Sequence, residues 1–211
     1  IDIYPESSEI VQKDFLSFFP TSQNIITIGN PPFGKRCDMA IEFFNHAAKF
    51  SKYICYILPK TFRKYSILKK LDKHFHNIYD IDLPNNSFLA NCSPYDVPAC
   101  YQIWEYREDL RQDLETSLES DYFNFCKVLE CDVAIRRVGY NAGRLVTDST
   151  KIQKLSKNSH YFLKIKNMLK EEFIETFNKI DFRKIVNNVS GQRSLSKREL
   201  VEEFRRHYEN E

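Results

Sequence analysis

Glycine is scarce in this chain: five occur among 211 residues, at positions 29, 34, 139, 143 and 191. They are spread too thinly to build a glycine-rich loop near the start of the sequence. Excess charge is lacking as well. With 31 basic and 29 acidic residues the formal net charge is +2, so a nucleic-acid partner would have to be held by local basic clusters and not by bulk charge. No apolar run approaches the roughly 18–20 residues that a membrane span requires, which excludes a helical membrane protein. No charged-then-apolar segment opens the sequence. The six cysteines (37, 55, 92, 100, 126 and 131) contain no C-x-x-C pair, which argues against a zinc site or a disulfide framework. Reduced thiols in a cytoplasmic protein, nucleoid-associated if bacterial, are the expectation.

A hydrophobic content of 42% and a charged content of 28% suit a folded protein. The length suits one domain with an appendage. Strand-like and helix-like patterns alternate over the first half. Residues 1–4 read as a strand ended by Pro5, residues 6–12 as a short helix capped by Ser7 or Ser8, and "VQKDFL" as strand-like near its end. "NIITI" (24–28) is apolar throughout, the pattern of a strand buried on both faces. An amphipathic helix comes next. It carries Met39, Ala40, Phe43, Phe44, Ala47 and Phe50 on one face, with Glu42, Asn45 and Lys49 turned away. Strands are expected at 53–58, 78–83 and 99–107, and a second helix at 66–75. This order predicts an α/β fold with a mostly parallel sheet over 1–107 and right-handed crossovers. The texture changes after 108, and 108–211 reads as a mixed, mainly helical accessory region. Within it "REDLRQDLETSLESD" serves as a helix-permissive link.

The stretch "IGNPPFG" (28–34) lies between the buried strand and the amphipathic helix. Consecutive prolines commonly end strands, since neither can donate to a ladder. In open α/β sheets, however, this position outside the carboxyl end of a strand is where ligands bind. An asparagine amide oxygen and a proline carbonyl side by side offer two hydrogen-bond acceptors in a stiff loop. Phe33 offers a ring for stacking.

These residues resemble the catalytic loop of S-adenosylmethionine-dependent amino-group methyltransferases, above all the N6-adenine DNA methyltransferases. That family carries Asn/Asp-Pro-Pro-Tyr/Phe at the end of its fourth strand. "IDIYP" resembles the end of the second strand, and "KDFL" the end of the third. The resemblance implies a Rossmann-like class I methyltransferase sheet, with Asn30, Pro31, Pro32 and Phe33 as the catalytic loop. It further implies that Asp2 and Ile3 lie at the cofactor ribose, and that Asp14 and Phe15 lie at the cofactor adenine, with Asn30 at the boundary of both sites. The order of these motifs is similar to the γ-type arrangement, in which target recognition comes last. S-adenosyl-L-methionine is the implied cofactor, DNA the implied partner with RNA also open, and no metal or membrane is called for.

One element of the family's pattern has no counterpart. Its first motif, a glycine-containing loop after the first strand, would precede Asp2. "GYNAG" (139–143) comes after a β-like run, but reads better as a turn. The expectation is therefore that a preceding segment or a partner chain completes the sheet, and that the chain alone binds the cofactor poorly.

Three basic clusters are candidates for phosphate contact: 60–70 with Arg63 and Lys64, 134–144 with Arg136 and Arg137, and 190–200 with Arg193 and Lys197. The last also stands at an expected helix start, a favourable place for phosphate. Two further readings stay open. One is methyl transfer to an RNA base or a protein glutamine, and the other is a non-catalytic nucleic-acid-binding subunit.

Overall fold

The β-branched run before the prolines forms strand β1 (Ile25–Gly29), which pairs in parallel with β2 (Ser51–Pro59). Helix α1 (Asp38–Ala47) lies between them in the chain. The computed structural model describes residues 1–22, 24–90, 92–112, 118–189 and 191–209. The chain divides into two compact units, Ile1–Asp113 and Leu114–Glu211. Residues beyond the last strand of the first unit remain attached to it through Arg111. Its guanidinium donates to the carbonyls of Leu68 and Phe75 and lies over the Trp104 ring, 5.4 Å from its centre.

After β2 the first unit continues through α2 (Tyr65–Leu68), β3 (Phe75–Asp82), the hairpin β4 (Phe88–Ala90) and β5 (Ser93–Tyr95), and β6 (Ala99–Tyr106). The main sheet has the order β1-β2-β6-β3. Strand β6 is antiparallel to both neighbours, so one strand contact of the three is parallel. The expected mostly parallel sheet is corrected to a mixed one. Strands β1, β2 and β3 run the same way, but β6 returns between two of them. It can do so because the connection from β3 contains a hairpin and no crossover helix.

Side chains alternate across the sheet. One face carries Ile54, Tyr56, Leu58, Cys100 and Trp104, which form a core with Ala40, Phe44 and Ala47 of α1 and with Ile67 and Leu71. The register lines up the other face in rows: Ile26 beside Tyr53 and Glu105, Ile28 beside Cys55, Ile103 and Tyr79, and Ile57 beside Tyr101 and Ile81. This second face is open. Ile26 is 59% exposed and Ile28 75%, and Tyr79 and Ile81 are also exposed. The expectation that 24–28 is buried on both faces is thereby corrected to burial on one.

Other expectations change in detail. Residues 1–4 form no strand. Asp2 makes a single parallel bridge to Gln12, and 6–12 is a turn in which Glu9 N–H donates to Ser7 Oγ. The helix expected over 66–75 stops at Leu68, where the Arg111 guanidinium takes up carbonyls near its end and β3 begins at Phe75. Met39 is exposed, and Asn45, expected to face away, ties α1 to the chain after α2. Its amide donates to Lys70 O and accepts from Asp72 N–H, both at 2.9 Å.

The second unit holds a four-stranded antiparallel sheet, β7 (Phe123–Phe125), β10 (His160–Ile165), β8 (Val133–Arg136) and β9 (Leu145–Val146) in that order. Its helices are α3 (Ser149–Ile152), α4 (Lys170–Lys179), α5 (Arg183–Val186) and α6 (Lys197–Glu209). Phe123, Val133, Ile135 and Leu163 pack with Phe173, Phe177, Leu200 and Phe204 in one apolar cluster. The Phe173 and Phe204 rings stack at 4.7 Å. The mainly helical expectation gives way to a sheet with helices laid on it. In the charged link, residues 108–112 and 118–120 are not helical, and its 113–117 portion lies outside the described residues. Among the described residues no helix is long and apolar enough to cross a membrane.

Phe44 is fully buried, with its ring 5.2 Å from Trp104 and 5.8 Å from Phe75. Phe44→Ala should cost about 3–5 kcal/mol of the first unit's stability. Trp104 is the single tryptophan, so urea unfolding followed by its fluorescence reads this unit alone.

Candidate active site

Strand β1 ends at Gly29, opposite Tyr56 of β2. Pro31 is buried and Phe33 half-buried, which anchors the loop. Pro32 between those anchors and Asn30 before them stay exposed. Neither the Asn30 side chain nor the Pro31 carbonyl has a hydrogen-bond partner among the described residues. Two adjacent acceptors are thus left without a partner among the described residues at the carboxyl end of a strand.

Residues 34–40 fix the loop in shape. Gly34 has φ +68° and ψ −176°, a conformation open to glycine only. A Cβ there would fall 2.1 Å from Asp38 Oδ1 and 2.7 Å from Met39 Cγ. Arg36 and Cys37 both adopt left-handed backbone, with φ 57° and 67°, and turn the chain into α1. The Ala40 amide reaches the Phe33 carbonyl at 3.5 Å. The Phe33 ring meets Phe88 of β4 edge-on, with centres 6.3 Å apart. Phe88 was not among the residues read from the sequence. Its signal is the turn-rich "LPNNSF" that carries an aromatic straight after β3.

The residues expected at the cofactor, Asp2, Ile3, Asp14 and Phe15, lie on two segments joined by one bridge. Across the Asp2–Gln12 bridge, Asp2 N–H donates to Val11 O and Lys13 N–H to Asp2 O, which sets Asp2 beside Gln12, two residues before Asp14. Asp2 Oδ1 accepts from Tyr4 N–H at 2.7 Å and Asp14 Oδ1 from Leu16 N–H at 2.9 Å. Each carboxylate keeps its second oxygen without a partner among the described residues. Ile3 is exposed, and Phe15 is half-buried. The Phe15 ring stacks on Phe43 at 5.2 Å and meets His46 and Phe50 edge-on. The Asn30–Phe33 loop leads into the first turn of α1, whereas Phe15 sits against its later turns. No hydrogen bond or ring contact joins the two groups among the described residues.

Of the basic candidates, Arg63 is bound by two carboxylates of β3. Its guanidinium is forked onto Asp80 and also donates to Asp82 at 2.6 Å, and Lys60 donates to Asp82 at 2.7 Å. From there Gln102 donates to Asp80 and Trp104 to Gln102. Lys64 is only 8% exposed. The Arg63 cation is thus held in a partly exposed ion-pair network, in which the Asp82 side chain is 55% exposed. Burial by itself would raise the Asp82 carboxyl, but hydrogen bonds from Lys60 and Arg63 outweigh it and hold its pKa below the usual carboxylate value.

The other two clusters come together. Val138 forms an antiparallel bridge with Ser194, and Gly139 N–H donates to Arg193 O, so Arg136 and Arg137 are joined to Arg193 and Lys197. The expected phosphate site at the start of α6 is filled from within. Glu199 accepts from Ser196 N–H at 2.8 Å, and Ser196 Oγ accepts from Glu199 N–H, a reciprocal capping box.

Among the described residues no cluster of His, Cys, Asp and Glu could hold a metal ion. Burial pushes the Cys100 thiol up to about 12 and Cys126 up to about 11, so neither is a nucleophile at neutral pH. No family model, curated protein or solved structure matches the chain. A functional reading rests on the residues themselves.

The Arg63 network makes a pH-dependent prediction. The Asp82 carboxyl binds protons less readily folded than unfolded, so its contribution is complete above about pH 4 and is lost as pH falls through the lower folded value. Arg63→Met should cost about 1–3 kcal/mol near neutrality in urea unfolding. The gap between variant and parent should narrow in acid.

Proposed function

We propose that the Asn30–Phe33 loop is the acceptor clamp of an S-adenosylmethionine-dependent methyltransferase acting on the exocyclic N6 amine of adenine in DNA. The observation that carries this is the pair of unpartnered acceptors at Asn30 and Pro31, held at the carboxyl end of β1 by a glycine-locked turn. The strand pattern supports it too. A parallel β1–β2 pair joined through α1, with the last strand reversed beside β2, fits the later half of a class I methyltransferase sheet. The parallel Asp2–Gln12 bridge fits the ends of its second and third strands.

An adenine amine is a poor nucleophile, because its lone pair is delocalised into the ring. Asn30 Oδ1 and the Pro31 carbonyl each accept one of its two N–H groups. Held in this way, the nitrogen is drawn toward a geometry that frees the lone pair. Phe33 stacks on the base and Phe88 braces that ring. The loop's contribution is positioning. A base inside a duplex has to be flipped out to reach it.

The fit to the cofactor is partial. Asp2 and Asp14 each offer a free, exposed carboxylate oxygen, which suits a ribose diol and a purine amine. No described residue takes the part of the glycine loop that would hold the methionine end. When bound, S-adenosylmethionine supplies an activated methyl group on a sulfonium. The open edge of β1 and the apolar face running from Ile26 to Ile81 fit a further polypeptide segment that adds a strand beside β1 and completes the site.

The test is transfer of tritiated methyl from S-adenosylmethionine to DNA, RNA and protein, using protein purified with any bound partner retained. Label should enter DNA, and Asn30→Ala should lower it about a hundredfold, as for loss of a positioned transition-state group. Undiminished labelling by Asn30→Ala contradicts the clamp. Label confined to RNA or to protein glutamine reassigns the substrate and leaves the clamp standing.

A further inference from the structure

Several arginines are neutralised by carboxylates. Arg63 pairs with Asp80 and Asp82, Arg107 with Glu105, Arg183 with Asp181 and Arg206 with Glu203. The seam between the 138–144 loop and the 191–197 segment is different. Arg136, Arg137, Arg144, Arg193 and Lys197 make no salt bridge among the described residues. Three of these cations lie on rings instead. Arg137 is over Tyr161 at 5.3 Å, Lys197 over Phe125 at 4.3 Å and Arg193 over Tyr140 at 5.1 Å. The Arg137 Nε is buried with no acceptor among the described residues. The nearby Glu199 is engaged in the α6 cap.

Tyr140 gives the seam its second feature. It is 84% exposed, yet the loop that carries it is firmly built. Gly143 N–H donates to Arg136 O at 2.7 Å and Ala142 N–H to Gly139 O at 3.0 Å. Gly139 and Gly143 both have positive φ, at 89° and 91°. A Cβ on Gly143 would fall 2.8 Å from the Phe182 side chain. A large ring is therefore presented to solvent on a fixed turn, with a guanidinium behind one face and the other face open.

We propose that this seam binds a nucleic-acid strand, with phosphates on the unpaired cations and an unstacked base on the open face of Tyr140. Uncompensated cations alone would suit any polyanion. A fixed, cation-backed ring among them adds a partner for a base, which an acidic peptide or a lipid headgroup does not have. The inference concerns the second unit and does not depend on methyl transfer, so either can fail without the other.

The test is fluorescence anisotropy of the full chain with labelled single-stranded DNA, duplex DNA and single-stranded RNA of about 20 nucleotides, enough to cover a typical strand-binding site. Flotation with phosphatidylcholine–phosphatidylserine vesicles is the comparison. Arg193→Ala and Lys197→Ala should each reduce the slope of log affinity against log salt by about one. Tyr140→Ala should weaken binding roughly tenfold with that slope unchanged, and Tyr140→Phe should retain it. Lys151→Gln, an exposed charge paired with Asp148, should bind within about twofold of the parent, as a single peripheral charge should. Whichever strand binds tightest identifies the partner. Failure of all three strands, equal binding by Tyr140→Ala, or binding to vesicles alone overturns the proposal.

Discussion

The register of β1 against β2 governs the first unit. With Gly29 opposite Tyr56, β1 has completed its backbone pairing by the time the chain reaches Asn30. Two prolines then remove the donors that would let a ladder continue. Pro31 is buried and Asn30 exposed, so the stop is anchored on one residue and presents the one before it. Gly34 and the left-handed pair Arg36 and Cys37 turn the chain abruptly into α1.

The same strand is one of the two edges of the main sheet, and Ile26 and Ile28 lie on the face away from α1. An edge with exposed β-branched residues is a template for further pairing. The rows from Ile28 to Tyr79 and from Ile57 to Ile81 extend the apolar character across the sheet. Helices cover one face only, whereas sheets containing parallel strands are usually covered on both. The unpartnered acceptors of Asn30 and Pro31 follow directly on this edge strand.

Much of this was legible in the sequence where local chemistry decides. The strand-loop-helix order around "IGNPPFG", the apolar face of α1 through Ala40, Phe44 and Ala47, and the serine cap of α6 arise from short-range pattern. What escaped depended on distant partners. Strand β6 shows no sign of its reversed direction, because an apolar run reads alike in either direction. The pairing of Arg63 was not legible because Asp80 and Asp82 lie a helix and most of a strand further along the chain. The helix at 66–75 was cut short by Arg111, far downstream in the chain. Conversely, the union of the 134–144 and 190–200 clusters required the Val138–Ser194 bridge, which no periodicity announces.

The central claim is that Asn30 and Pro31 recognise an exocyclic amine. The most direct measurement is the amide chemical-shift map of the labelled protein, made with any partner retained. It would be titrated with a short single-stranded oligonucleotide carrying one adenine and then with the same strand carrying hypoxanthine, which lacks that amine. Recognition of the amine predicts shifts at Gly29, Asn30, Phe33 and Gly34 with adenine, and their loss with hypoxanthine. Identical shifts with both bases, or shifts that never reach this loop, would contradict it.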